Sequence, residues 1–443
     1  MIQPRTLKGF RDYLPATMIP RERMMESARG VFRQFGFAPI DTPTLEHLEI
    51  LTGKGSDETD RQLFRFEDAG GRPVGMRFDL TVPLARFAAQ HVSELGTPFK
   101  RYHIAPVWRG EKPQTGRYRE FVQCDFDTIG TEAVVADIET VSVIDRLLRT
   151  LEMDQFTIHL NNRSILTGLL ESLQLVDRTT LVLRCLDKLA KIGRDKVAAE
   201  MVAVAEIDSA QADSVLRLAE LDGDAEDILS QLPEITSEHE TAMRGIRRLR
   251  DIHAGVLASG VAPERLRINV SIARGLDYYT GLIFETTLNE LPSIGSICSG
   301  GRYDNLAGLY TKQHLPGIGG SLGLDRLLAA MEQLGMLSDV RKPCRVFIAH
   351  FDADHREDYL RLANVLRNAG IGVELYPDAK KLGQQLKYAD AQGLEVALIA
   401  GGSEWHDGEM QVKHLATKDQ KTVHYRHDQS EPLLSLIRDL LAG

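Results

Sequence analysis

Little in this 443-residue chain supports a disulfide framework or a zinc ribbon. The four cysteines, Cys124, Cys185, Cys298 and Cys344, are widely scattered and form no C-x-x-C. Free, mostly buried thiols in a reducing compartment are expected. No apolar run approaches the roughly 18 residues that cross a bilayer. The opening MIQPRTLKGFRDYLP lacks an apolar core followed by small residues. A secretory signal is therefore not expected, and a cytoplasmic location is. Positive charge falls short as well: 53 Lys and Arg stand against 63 Asp and Glu, a net charge of −10. That excludes a general nucleic-acid coat, although a local basic cluster can still hold a polyanion. No G-x-x-x-x-G-K-[ST] occurs, which removes P-loop chemistry. The run GIGGSLG carries Gly317, Gly319, Gly320 and Gly323, but Leu322 breaks G-x-G-x-x-G, and a dinucleotide fold is disfavoured.

What remains is an ordinary globular composition, 43% hydrophobic and 26% charged. The length suggests about three domains at about 150 residues each. Residues 19–35 repeat apolar side chains at helical spacing (Met24, Ala28, Val31, Phe32, Phe35) until Gly36 stops them. RYHIAPVWR (101–109) and EFVQCDFDTIG (120–130) alternate like strands, and the short GEKPQTG between them suits a hairpin. Residues 162–265 read as a mostly helical insertion between strand-rich blocks. RINVSI then returns to strand pattern, and SLGLDRLLAAMEQLG (321–335) reads as a helix. After a linker at Lys342-Pro343, residues 343–443 alternate strand and helix. The helix around 355–369 places Leu362, Val365, Leu366 and Ala369 on one face, and Gly370 stands where a helix C-terminus favours a left-handed residue. That alternation implies a mainly parallel sheet.

Three stretches carry candidate chemistry. Window 100–123 holds Lys100, Arg101, Arg109, Lys112, Arg117 and Arg119 against Glu111 and Glu120. If its strands pair, Arg109, Lys112, Arg117 and Arg119 crowd one end of a sheet, where guanidinium forks match phosphate oxygens. A solvated charged hairpin is the plainer reading of the same charges. ARGLDYYTG (273–281) puts Arg274, Asp277, Tyr278 and Tyr279 in a glycine-bounded turn that suits recognition, or merely decorates a hairpin. SGGRYDNL (299–306) and GSLGLDRL (320–327) let backbone approach a ligand closely, or pack sheet against helix, and Arg326 lies near a helix start. His350, Asp352, Asp354 and His355 have the residue types of metal ligands but sit at a strand-to-helix junction, where Asp is a common cap. No metal site is expected there.

Together these residues resemble the histidyl-tRNA synthetases, a family of class II aminoacyl-tRNA synthetases. FGFAPIDTPTLE (35–46) resembles motif 1, VWRGEKPQTGRYREFVQCDFD (107–127) motif 2 and SLGLDRL (321–327) motif 3. RGLDYYTG with SGGRYD resembles the family's histidine signature. The resemblance covers essentially the whole chain. It implies an α+β multidomain protein with an antiparallel-sheet catalytic core (residues 1–161 and 266–335), the helical insertion (162–265) and a C-terminal α/β anticodon-binding domain (343–443).

Ligation of histidine to tRNA(His) through a histidyl-adenylate is also implied. ATP with Mg2+ is then a substrate, the enzyme is a homodimer, and there is no tightly bound cofactor, metal site or membrane partner. By position, Arg109 would hold the α-phosphate and the histidine carboxylate, and Arg274 would act beside it. Phe121 and Arg326 would sandwich adenine, with Glu111 and Arg117 on its edge and the phosphate tail. Asp79, Thr81 and Gln123 would take the α-amino group, and Asp127, Tyr278 and Tyr279 the imidazole. RFDLTVP (77–83) carries Asp79 where many bacterial relatives have Glu, a subtype difference of one methylene.

For tRNA, Arg119 and a patch of Lys380, Lys381 and Lys387 on one helix are candidates, because residues 341–443 are otherwise near neutral, with 14 Lys and Arg against 15 Asp and Glu. Arg244, Arg247, Arg248 and Arg250 form a second basic candidate, for the acceptor stem. Two other readings exist: a catalytically idle, histidine-sensing regulator of histidine biosynthesis, and a tRNA-sensing module. Relatives of the first kind usually lack the C-terminal domain and lose the arginines, and both are present here.

Overall fold

The computed structural model describes residues 1–52, 61–272, 278–337 and 344–442. The chain forms two compact units, Met1–Leu337 and Ser338–Gly443.

The first unit is organised by an eight-stranded sheet. Its strands are β1 (Ala38–Pro39), β5 (Phe99–Trp108), β6 (Glu120–Ile129), β7 (Phe156–Asn162), β8 (Leu266–Ile268), β9 (Leu282–Leu288), β10 (Cys298–Arg302) and β11 (Gly317–Gly323). They run in the order β1-β5-β6-β11-β10-β9-β7-β8. The six central strands are mutually antiparallel, and parallel pairs occur only at the two edges, β1 with β5 and β7 with β8. The expected hairpin is present, with Trp108 opposite Glu120 and Phe99 opposite Ile129.

Alternation along this hairpin explains the layering. Tyr102, Val122, Cys124 and Phe126 point to one face and join a core with Met24, Val31 and Phe32 from helix Pro15–Gln34 and Val141, Ile144 and Leu148 from helix Val134–Thr150. Arg101, His103, Gln123, Asp125 and Asp127 fall on the other face and are nevertheless buried. A buried polar ladder is costly unless its groups find partners.

Two departures from the sequence reading concern glycines and helix ends. Residues 317–323 are strand, and the helix thought to start at 321 spans Leu324–Gln333. The glycines serve close strand approach: a Cβ on Gly300 would lie 2.1 Å from the Gly319 carbonyl oxygen. RINVSI yields only the three-residue β8. Helices from Arg163 to Ala258 occupy the stretch between β7 and β8, and Ile165, Leu249, Ile252 and Val256 share the core of the sheet. Helices Arg163–Ser172 and Glu240–Ala258 cross closely at Gly168, where a Cβ would meet the Ala242 nitrogen at 2.4 Å. A small sheet of β2 (Leu45–His47), β3 (Arg65–Glu67) and β4 (Pro73–Met76), ordered β2-β4-β3, precedes helix Thr81–Leu95. The Thr97-Pro98 bond that follows is cis.

The second unit holds β12 (Val346–Ile348), β13 (Val373–Leu375), β14 (Val396–Ile399), β15 (Glu409–His414) and β16 (Gln420–His424). β13, β12 and β14 are parallel, as the alternation implied, and β15 and β16 extend the sheet antiparallel. Leu362 and Leu366 are buried on helix Arg356–Asn368, Val365 and Ala369 pack against them, and Gly370 takes φ +76°. The next helix spans Leu382–Ala391, so Lys380 and Lys381 precede it and only Lys387 lies on it.

Candidate active site

The loop between β5 and β6 closes on itself. The Arg109 amide donates to the Arg119 carbonyl at 2.9 Å, and Gln114 and Arg117 exchange backbone bonds at 3.1 and 2.9 Å. This folds Arg109, Glu111 and Arg117 over the end of the sheet. Arg326 comes from the first turn of helix Leu324–Gln333, which β11 delivers beside β6. The four side chains meet, with Phe121 and Gln123, around a cavity of about 120 Å³. Three guanidinium groups share it with one carboxylate: Glu111 lies 3.8 Å from Arg109 and 3.7 Å from Arg117. Burial, followed by the nearby charges of Arg117 and Arg109, pushes the Arg326 pKa down to about 10. An anion in the cavity would relieve that repulsion. The Arg109 Nε donates to the Phe78 carbonyl at 2.9 Å, and its guanidinium lies 5.2 Å from the Phe121 ring centroid. The Arg326 Nη1 donates to the Ser296 carbonyl.

Deeper along the same face the groups turn acidic and aromatic. Asp79 ends the approach to helix Thr81–Leu95, and its Oδ1 accepts the Val82 amide at 2.9 Å. Its Oδ2 accepts the Tyr278 hydroxyl at 3.3 Å. Burial pushes the Asp79 pKa up, opposed first by that Val82 amide and then by Arg109. Thr81 also approaches the Tyr278 hydroxyl. The Gln123 Nε2 donates to the Ser321 Oγ at 2.7 Å, while its Oε1 is buried with no hydrogen-bond partner among the described residues. That orphaned acceptor suits a substrate ammonium. Asp127 pairs with the fully buried Arg101 at 2.7 Å and accepts the Tyr303 hydroxyl. The Tyr278 ring packs edge-on against Tyr279 at 5.2 Å and against Tyr303 at 6.0 Å. Gly319 leaves room for this arrangement: a Cβ there would meet the Asp127 Oδ1 at 2.0 Å.

The sequence-derived residues therefore fall into groups. Arg109, Glu111, Arg117, Phe121, Gln123 and Arg326 line one cavity. Asp79, Thr81 and Tyr278 cluster, and Tyr279 lies against Tyr278. Arg274 and Asp277 lie outside the described residues. Arg119 does not reach the cavity: its guanidinium donates to the carbonyls of Glu111 (3.1 Å) and Lys8 (3.4 Å). Arg248 turns inward to Asp137, while Arg244 and Arg247 are exposed. In the second unit Lys380, Lys381 and Lys387 are exposed, and Lys380 pairs with Asp378 at 3.3 Å. Asp352 caps the turn at 353–355, where its Oδ1 accepts the Asp354 amide, and His355 pairs with Asp358.

Sequence reasoning missed the supports. From local sequence Arg101 reads only as hairpin charge, and Tyr303 carries no sign of its bond to Asp127. Asp325 accepts the Tyr13 hydroxyl at 2.6 Å, the Arg21 Nε at 2.9 Å and the Val122 amide at 2.7 Å, tying the N-terminal helix to the floor of the site. The one available signal for Asp325 was a carboxylate at the start of an apolar helix.

Comparison with known proteins places the chain in a family. A family model described as histidyl-tRNA synthetase matches residues 9–327, and one described as an anticodon binding domain matches residues 344–427. The histidine–tRNA ligase of Rhodopirellula baltica is 74% identical over 438 residues, 99% of each chain. That of Treponema denticola is 47% identical over 404 residues, 90% of this chain and 89% of its own. The crystal structure of histidyl-tRNA synthetase from Nostoc sp. PCC 7120 superposes with a TM-score of 0.85 at 31% identity, covering 99% of this chain and all of its own.

Proposed function

The chain belongs to the histidyl-tRNA synthetase family, and from that premise we propose how its site performs the ligation of histidine to tRNA. The single observation that carries the assignment is the meeting of Arg109, Arg117 and Arg326 at one cavity whose wall also holds the orphaned Gln123 acceptor.

Histidine and ATP bind side by side. The histidine carboxylate, with a pKa of about 3.5, is already ionised at neutral pH, so no general base is needed. One carboxylate oxygen attacks the α-phosphorus in line. The new O–P bond forms as the bond to pyrophosphate breaks, and pyrophosphate leaves with the electron pair. Catalysis is therefore positioning plus stabilisation of phosphoryl charge. Arg109 holds the α-phosphate and the carboxylate. Arg117 and Glu111 hold the phosphate tail and the adenine edge, and Phe121 and Arg326 take the adenine faces. Arg274 is assigned beside Arg109 on the family resemblance alone. Magnesium enters with ATP as part of the substrate. A terminal ribose hydroxyl of tRNA then attacks the carbonyl carbon of the adenylate, and AMP departs.

Asp79, Thr81 and Gln123 receive the α-ammonium. Asp127, Tyr278 and Tyr279 recognise the imidazole, and Arg101 and Tyr303 orient Asp127. A site built to hydrogen-bond a substrate group rejects analogues lacking it by roughly 10⁴–10⁵. Lys380, Lys381, Lys387 and Arg119 are assigned to tRNA. The lysines at 380 and 381 stand exposed just before a helix N-terminus, where a cation opposes the helix dipole.

A homodimer is part of the proposal. It rests on the motif 1 resemblance at 35–46 and on Leu45 and Phe66, both large, apolar and exposed on the small sheet. A cytoplasmic location is proposed as well, in keeping with four free thiols. Histidine-dependent exchange of pyrophosphate into ATP tests the reading. Exchange with histidine and none with other amino acids supports it, and absent exchange by folded protein favours a sensing role instead.

A further inference from the structure

Asp137 is fully buried in the first turn of helix Val134–Thr150, and two arginines from distant parts of the chain converge on it. Arg302, at the end of β10, donates to the Asp137 Oδ1 through Nε at 3.0 Å and Nη2 at 2.5 Å. Arg248, on helix Glu240–Ala258, donates to the Oδ2 through Nε at 2.7 Å and pairs through Nη2 at 2.6 Å. Arg302 does not stop there. Its Nη1 donates to the Thr131 carbonyl at 2.9 Å and to the Asp304 Oδ1 at 3.0 Å. The other Asp304 oxygen accepts the Thr280 hydroxyl at 2.7 Å, and the Thr280 amide donates to the Arg302 carbonyl at 2.8 Å. Thr280 directly follows Tyr278 and Tyr279. Arg302 directly precedes Tyr303, whose hydroxyl holds Asp127. Gly281 keeps the path tight: a Cβ there would lie 3.2 Å from the Arg302 Cδ.

None of these groups lines the cavity, and a general packing role would not require two forks on one carboxylate. We infer that Arg248, Asp137, Arg302, Asp304 and Thr280 form a strut of positioning residues that holds the imidazole-recognising tyrosines in place from the helical insertion. The inference rests on the proposed reading of the histidine pocket and adds a specific source for its rigidity. A buried carboxylate gripped by two guanidinium forks, one on each oxygen, is fixed in one orientation, and removing either fork frees one of its oxygens. The seating of helix Glu240–Ala258 and the placement of the tyrosines are thereby coupled. Binding energy for histidine then depends on a helix that never touches it.

The test uses the full chain and pyrophosphate exchange, with histidine titrated at saturating ATP. Asp137→Asn endangers folding, so the working variants are Arg248→Ala, at a side chain only partly buried, and Thr280→Val. Each is expected to raise the histidine KM by about tenfold while the ATP KM stays within about twofold. Arg248→Lys should recover most of the loss. The double variant should raise the KM by clearly less than the product of the two single effects, since both act through one strut. An unchanged histidine KM in folded Arg248→Ala overturns the inference, as does a double variant whose effects simply multiply. If the wild-type chain exchanges with histidine and the variants behave like it, only the strut is lost. If the wild-type chain shows no exchange, the reading of the site fails first.

Discussion

Arg101 and Asp127 face each other across β5 and β6 with guanidinium and carboxylate 2.7 Å apart, and neither side chain is more than 3% exposed. Arg101 also donates to the Leu80 carbonyl at 3.3 Å, yet its Nε and Nη1 have no partner among the described residues. In the proposed histidine pocket this buried charge orients Asp127. Arg101→Met should destabilise the first unit strongly, by about 3–5 kcal/mol, because Asp127 is then left buried and unpaired. Urea unfolding checks this. A loss under 1 kcal/mol would show, against the roughly 3–5 expected, that the pair is dispensable.

Asp125 should make stability pH-dependent. Burial pushes its pKa up to about 7. In the unfolded chain it titrates near 4. Between those values the unfolded state releases the proton and the folded state keeps it, so this group's contribution is full below about pH 4 and lost as pH rises toward 7. Asp125→Asn removes the slope. Its melting temperature relative to wild type should therefore be higher at pH 7.5 than at pH 5. A difference that stays constant with pH would contradict the assignment.

Arg326 is buried beside the like charges of Arg117 and Arg109, a placement that the proposed nucleotide site explains. Arg326→Gln should leave the melting temperature of the free protein unchanged or raised. The same variant should raise the ATP KM roughly 2–30-fold, the loss of a cation–π contact with adenine worth about 0.5–2 kcal/mol. Steady-state exchange and calorimetry check both halves. A lower melting temperature with an unchanged KM would make it a structural residue.

Gly319→Ala places a methyl on the Asp127 carboxylate. Overpacking of this kind costs typically 1–3 kcal/mol, and here it falls on the side of the site proposed for the imidazole. Histidine activation should drop at least about 100-fold while ATP binding persists. Equal loss of both would show general damage.

Lys380→Glu combined with Lys381→Glu should raise the tRNA KM about tenfold or more and flatten its salt dependence. Histidine-dependent exchange should not change. An unaltered tRNA KM would remove these lysines from the interface.

Much of this was legible in the chain because the signals were local. Alternation exposed the β5/β6 hairpin and the parallel strands of the second unit, and charge density marked Arg109 and Arg117. What stayed hidden depended on partners far away in sequence. Tyr303 meets Asp127 across 176 residues, and Arg21 meets Asp325 across 304. Arg119 looked free because nothing local shows the Lys8–Gly9 backbone folding onto it. SLG at 321–323 reads as helical because Ser suits a helix cap and an apolar helical pattern follows directly. Strand pairing with Cys124 and Gln123 overrode that preference. The helix expected from Lys380 begins two residues later, at Leu382, an ordinary uncertainty at helix ends.

The proposed ligation requires arginines gathered around one nucleotide beside a pocket for imidazole. A crystal structure of the chain with histidine and a non-hydrolysable ATP analogue addresses that directly. The α-phosphate should lie within about 3 Å of the Arg109 guanidinium, with the imidazole nitrogens within the same range of Asp127 and a hydroxyl of Tyr278 or Tyr279. Nucleotide bound away from Arg109 and Arg326, or an imidazole that leaves Asp127 to Arg101 and Tyr303 alone, would contradict it.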